Sequence, residues 1–234
     1  MSALGLATFI FTILVSIFHL WVCLGQYKKN GNECQSKFLA DCSKPMLMPL
    51  LALSALFILL EKNAPASKSM LLALALIFGT AGDCFLLNAE KKINFNLGTI
   101  SFLIGHFFYL AIFLPSAFSL PWFIFLIVAL LGIIFAVMTF FMLKKPKGLT
   151  GILCMLYSFI IVVLIFSGIA MLLAHKKEGI FVITGSLIFA ISDSVLSNTL
   201  FVKDFKNSRF VIMFTYIIAQ MLLVWGVIYP FVKK

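Results

Sequence analysis

The sequence predicts an all-α membrane protein, a polytopic bundle of about eight transmembrane helices within one domain spanning residues 1–234. Three observations carry this. The 234 residues are 63% hydrophobic and only 11% charged, whereas a water-soluble domain carries roughly 25% charged residues to solvate its exterior. The apolar residues form runs of about 20, the length that crosses a hydrocarbon core as a helix. The lysines and arginines behind the net charge of +10 fall in short clusters between those runs, as membrane proteins place them. That distribution argues against nucleic acid as a partner.

The runs are Gly5–Leu24, Pro45–Leu60, Ser69–Leu87, Leu97–Leu114, Pro121–Leu143, Leu149–Leu173, Gly179–Leu200 and Phe210–Phe231. No basic segment precedes the first, and its length suits a retained span better than a cleaved signal peptide. The second is short, but Lys44 and Lys62 flank it and can snorkel to the interface. Pro45 and Pro121 read as first-turn prolines, where a missing N–H costs nothing. No linker is long enough to hold a separate soluble domain.

Basic residues set the expected orientation. The first, third, fifth and seventh loops carry Lys28, Lys29, Lys37, Lys44, Lys91, Lys92, Lys144, Lys145, Lys147, Lys203, Lys206 and Arg209, twelve in all. The other face carries six: Lys62, Lys68, Lys176, Lys177, Lys233 and Lys234. The positive-inside rule then places both termini outside the cytoplasm. The expected location is the endoplasmic reticulum in a eukaryote, or the inner or plasma membrane in a bacterium.

A span satisfies its own backbone, so a polar side chain inside one needs a separate reason. Asp83 and Asp193 are the carboxylates inside predicted spans, and an ionisable group at that depth marks a functional site by default. Each lies fourteen residues after the start of its run, Ser69 or Gly179, in spans that run in the same direction. Both therefore sit about 20 Å along, at one depth in the cytoplasmic half. Each follows a small residue, Gly82 or Ser192, which permits close helix approach. His106, Tyr157, Tyr216 and Gln220 fall at similar depth on spans entering from the same face, with Lys44 at the mouth. Asp83 to His106 is 23 residues and so is Asp193 to Tyr216, a register that two parallel four-span halves would produce.

These residues resemble the YhhN family of integral-membrane lysoplasmalogenases. The matching segments are Lys44-Pro45, then Gly82-Asp83-Cys84-Phe85-Leu86, then Gly98 with Ser101-Phe102, Gly105-His106 and Tyr109. Gly185 and Phe189-Ala190-Ile191-Ser192-Asp193 follow, and Thr215-Tyr216 with Ala219-Gln220 complete the set. The chain departs from the family where an Asn often stands six residues after Asp193; here Thr199 does, preceded by Asn198. The cysteine-containing first loop is a second departure. The resemblance implies hydrolysis of the vinyl ether of a lysoplasmalogen, giving a fatty aldehyde and a glycerophospho-choline or -ethanolamine.

The chemistry fits the residues. A vinyl ether is hydrolysed by protonating its outer alkene carbon, after which water captures the oxocarbenium ion and the hemiacetal collapses. That requires a carboxylic acid and an ionised partner, and paired carboxylates in an apolar pocket supply both without a metal or other cofactor. Asp83 and Asp193 are the expected catalytic pair. Lys44, His106, Tyr109, Tyr157, Ser192, Tyr216 and Gln220 are the expected binding or orienting groups, with Lys44 toward the phosphate. The expected partners are a lysophospholipid substrate and membrane lipid, and a homo-oligomer is compatible with both.

Other readings compete. A small-solute or proton-coupled transporter would also use two intramembrane aspartates, although no proline interrupts the middle of a predicted span. In a structural or lipid-sensing protein the aspartates would only pack. Zinc is disfavoured, because His19, His106 and His175 lie in different spans at different depths. No glycine-rich phosphate loop or serine nucleophile motif is present. Cys34 and Cys42 match no zinc spacing and read as free thiols, while Cys23, Cys84 and Cys154 behave as small hydrophobes.

Overall fold

Long apolar runs with few turn residues fold here into eight helices: α1 Ala3–Gly25, α2 Glu33–Glu61, α3 Ala66–Phe85, α4 Lys92–Phe113, α5 Trp122–Met142, α6 Leu149–Leu173, α7 Gly179–Phe201 and α8 Ser208–Val232. The computed structural model describes residues 3–25, 33–144, 146 and 148–233. Lys28, Lys29, Lys145, Lys147, Lys234 and the side chain of Cys34 lie outside the described residues. Cys42 is a free, exposed thiol.

All eight helices are long and apolar enough to cross a membrane, and the chain is an integral multi-pass membrane protein. The side chains show why water is not their solvent. Only 11% of the α5 span is buried within the protein, and it presents Leu126, Leu130, Ile133 and Met138 outward, each more than half exposed. Soluble surfaces rarely carry so continuous an apolar patch; lipid solvates it without cost.

The helix limits agree with the apolar runs to within three residues except at the starts of α2 and α4, the latter beginning at Lys92, five residues before Leu97. α2 begins twelve residues before Pro45, so Pro45 and Pro49 lie inside it and not in its first turn. Hydrophobicity marks where the chain enters lipid; the preceding polar stretch, Glu33 to Lys44, is helix-competent and continues the same helix beyond the apolar part. The span runs from Lys37 to Glu61, which places Pro49 near its middle and removes one objection to a transporter. Each proline leaves the carbonyl four residues earlier without its helical donor. α3 likewise starts three residues before Ser69.

Neighbouring helices pair in a repeating order. α1 packs on α2 as α5 does on α6, α2 on α3 as α6 on α7, and α3 on α4 as α7 on α8. This matches the 23-residue register noted in the sequence. Close approach at the α3–α4 seam depends on glycine: a Cβ on Gly105 would lie 3.0 Å from the Ala75 carbonyl oxygen, and one on Gly82 would lie 2.7 Å from the Phe102 ring. Hydrogen bonds between hydroxyls and amides tie other seams, as they do where lipid offers no hydrophobic drive between helices. Thr12 and Ser54 join α1 to α2 at 3.1 Å, and Thr150 donates to Asn96 Oδ1 at 2.9 Å.

Candidate functional site: two carboxyls around an aromatic core

The last two turns of α3 and the middle of α7 deliver the two aspartates. Asp83 is 2% exposed. Its Oδ2 accepts a 2.9 Å hydrogen bond from the Tyr216 hydroxyl of α8, and its Oδ1 lies 3.5 Å from Lys44 Nζ of α2. Three helices therefore converge on one carboxyl. Lys44 keeps 18% of its side chain exposed and lines a cavity as well as meeting Asp83.

Asp193 is served differently. Its Oδ2 is sealed from solvent and has no hydrogen-bond partner. The Tyr157 hydroxyl interacts with this carboxyl electrostatically, yet it too lacks a partner at hydrogen-bonding geometry. Asp83 is also within electrostatic reach of Asp193. The two carboxyls stand on separate pairs of neighbours: α3 packs on α2 and α4, while α7 packs on α6 and α8, and Asp193 lines the apolar cavity described below whereas Asp83 does not.

Aromatic rings fill the space between. Phe102, Phe189 and Tyr216 meet edge to face, with centroids 5.6 to 6.4 Å apart. His106 packs edge-on against Phe189 at 4.6 Å and Tyr157 at 5.4 Å. Its Nδ1 lies 2.7 Å from the Phe102 carbonyl. A carbonyl only accepts, so Nδ1 donates and Nε2 is left as a bare acceptor; no group among the described residues pairs with it. His106 Nε2, Tyr157 Oη and Asp193 Oδ2 are the buried side-chain polar atoms without partners among the described residues. Leaving such an atom unpaired costs about 1–3 kcal/mol. Three of them on adjoining side chains are what a site built for an absent polar partner would show.

The remaining expected residues have structural duties. Tyr109 donates to Gln220 Oε1 at 2.9 Å, bolting α4 to α8, the helix that carries Tyr216. Ser192 donates to the Ile212 carbonyl at 3.0 Å and holds α7 to α8 beside Asp193. Neither touches a carboxyl of the pair in these bonds.

Two cavities flank this core. A polar one of about 730 Å³ lies at the helix ends that carry the first, third, fifth and seventh loops; Lys37, Lys44, Lys92 and Arg209 line it together with Asp41, Glu90 and Asp204. An apolar one of about 300 Å³ is lined by Asp193, Tyr157 and Ser158, by Thr99 and Phe102, and by Phe135, Met138 and Met142 of α5. Leu86, Phe95 and Leu196 belong to both walls. The sequence reading did not single out Phe102 as a ring between the carboxyls, nor Lys92 and Arg209 as cavity residues. The charged ones had served only to count charge by face, and an apolar ring in an apolar run carries no signal of its own. A buried relay was also missed: His19 Nδ1 meets Ser43 Oγ at 2.7 Å and Cys23 Sγ lies 3.5 Å from His19 Nε2.

A family model, described as the YhhN family, matches residues 39–227, most of the chain and every site residue expected from the sequence. No curated protein and no solved structure matches the chain. The chain belongs to the YhhN family.

Proposed function

We propose that this YhhN family protein is a lysoplasmalogenase, hydrolysing the vinyl ether of alkenyl-glycerophospholipids that carry one chain. Family membership suggests that class of activity, and one observation carries the assignment to residues: two unlike buried carboxyls, Asp193 without a hydrogen bond in the wall of an apolar cavity and Asp83 held by Tyr216 and Lys44 behind the aromatic rings. Asp193 is the acid. Its Oδ2 accepts no hydrogen bond among the described residues, so that oxygen is available to hold a proton and present it to the outer alkene carbon. Asp83, held by Tyr216 and Lys44, is the fixed acceptor whose negative charge opposes the oxocarbenium ion as it develops. Charge placed in advance where charge develops lowers a barrier more than any contact made equally in the ground state.

The cation takes up water. His106 Nε2 is an acceptor without a donor, and with the Tyr157 hydroxyl it is suited to position that water and receive its proton as the C–O bond forms. The hemiacetal then collapses: the proton held on His106 Nε2 passes to the glycerol oxygen as that C–O bond breaks, and the hemiacetal hydroxyl proton returns to Asp193. Aldehyde and glycerophospho-base are the products. No redox change occurs, and the proton given by Asp193 is regained from the water.

The test incubates purified protein with a lysoplasmalogen, its saturated alkyl ether and the corresponding ester lysolipid, and measures aldehyde. Release from the vinyl ether alone is expected. Equal attack on the ester would remove the substrate assignment. A transporter, the reading that Pro49 in mid-span leaves open, would release no aldehyde in detergent and would move solute only across a sealed membrane.

A further inference from the structure

The two cavities differ in the chemistry they offer, and the difference matches the two ends of a single-chain phospholipid. Among the described residues the larger cavity carries four cationic and three acidic side chains, and several of them stand on the loops and helix ends at the membrane face. That is the depth of a phosphate, and the mixed signs suit a zwitterion better than a simple anion. The smaller cavity is deeper and mostly apolar. Its outer wall is α5, whose Met138 and Met142 are also exposed to lipid. α5 packs on α6 and extensively on neither α4 nor α7. The cavity residues Ser194 and Asn198 of α7 are exposed as Met138 and Met142 of α5 are, whereas Phe95 and Thr99 of α4 are buried, so the opening between α5 and α7 faces the bilayer. Asp193 and Tyr157 stand in that inner wall, and Lys44, which lines the polar side, points its ammonium at Asp83.

We propose that the polar cavity seats the glycerophospho-base of the substrate and the apolar cavity its alkenyl chain, entering between α5 and α7, with the cleaved bond at the wall formed by Leu86, Phe95 and Leu196. The proposal rests on the hydrolase reading above and adds to it where each end of the lipid goes. Lys44 is committed to Asp83 at 3.5 Å, so the phosphate falls to other cations of that cavity, Lys37 of α2 and Lys92 of α4 among them. Head-group and chain selectivity then reside in different residues.

The experiment compares kcat/KM on hexadecenyl glycerophosphocholine, its octenyl homologue and hexadecenyl glycerol, which lacks the phosphate. The Lys37→Gln/Lys92→Gln double variant alters two exposed side chains. It should lose about tenfold on the phosphocholine substrates, the effect of a charged hydrogen bond worth about 1.4 kcal/mol, and remain unchanged on hexadecenyl glycerol. Met138→Trp narrows the apolar cavity from α5, and Ser197→Trp narrows it from α7 should the first variant not fold. Either should lose about tenfold on the hexadecenyl substrates relative to the octenyl one, as a few displaced methylenes would. Equal losses with and without phosphate, or an unchanged chain-length ratio in both tryptophan variants, would overturn the placement while wild-type activity leaves the hydrolase reading intact. Free glycerophosphocholine competing as well as the whole lipid would also overturn it, since the polar cavity would then be a site for soluble phosphate esters. If the wild type releases aldehyde from none of the three, the hydrolase reading fails and this placement with it.

Discussion

Removing one oxygen from each of two tyrosines separates a paired hydroxyl from an unpaired one. Tyr216→Phe deletes the 2.9 Å bond to Asp83 and leaves the ring contacts with Phe102 and Phe189 in place. Hydrogen bonds to charged groups contribute about 1.5–3 kcal/mol, and Asp83 would keep only the longer Lys44 contact. Unfolding in detergent should therefore shift down by roughly 3–12 °C for a chain of this size. Aldehyde release should fall by about 10- to 100-fold, since the acceptor is no longer held. Tyr157→Phe deletes a buried hydroxyl that adjoins the Asp193 carboxyl but makes no hydrogen bond among the described residues. Its loss should leave the melting temperature unchanged or raised, because the desolvation of that oxygen is relieved. Catalysis should nevertheless drop, because Tyr157 borders Asp193 in the cavity wall. The assay pairs thermal unfolding with aldehyde release for both variants. Equal thermal destabilisation by the two would refute the distinction between a satisfied and an orphaned hydroxyl, and with it the assignment of Asp193 as the acid.

Other outcomes follow from the same geometry. Asp83→Asn and Asp193→Asn should each lower turnover by about 10²–10⁴, the usual contribution of a positioned acid or base, while both proteins remain monodisperse; full activity in either removes that carboxyl from the mechanism. Lys44→Met should destabilise by about 1–3 kcal/mol, less than a fully buried pair because the lysine is partly exposed, and Lys44→Arg should restore most of that in chemical unfolding; indifference to both would mean the 3.5 Å contact contributes nothing. Gly82→Ala should destabilise by about 1–3 kcal/mol by driving the Phe102 ring from the α3–α4 seam, read by thermal unfolding, and an unaffected protein would show that the ring moves freely. For orientation, a cysteine at Ser119 in a cysteine-free background should react with an impermeant thiol reagent added to the non-cytoplasmic side of sealed membrane vesicles, and one at Lys206 only after permeabilisation; the reverse pattern would invert the topology.

Much of this architecture was legible because lipid imposes a simple code. Length and apolarity marked all eight helices, and α6 coincides with its run from Leu149 to Leu173. The code is silent about helix outside the hydrocarbon, which is why the polar start of α2 escaped and Pro45 was misplaced. In the site, the intramembrane aspartates were visible as violations of the same code. Their partners were partly visible: Tyr216 and Lys44 reach Asp83, whereas Tyr109, Gln220 and Ser192 spend their hydrogen bonds on holding helices together. No linear pattern separates a polar residue that braces a seam from one that faces a substrate, since both are polar atoms at one depth. Phe102 and the α5 wall were illegible for the opposite reason, as apolar residues in apolar surroundings whose position matters only after folding.

The position of the transferred proton is the most direct test. Turnover of a lysoplasmalogen in heavy water should deliver an aldehyde carrying one deuterium at the carbon next to the carbonyl, the former outer alkene carbon, and should run slower than in ordinary water. An aldehyde free of deuterium at that carbon would mean that the bond breaks without a carboxylic acid protonating the alkene, and the two-aspartate mechanism would be wrong.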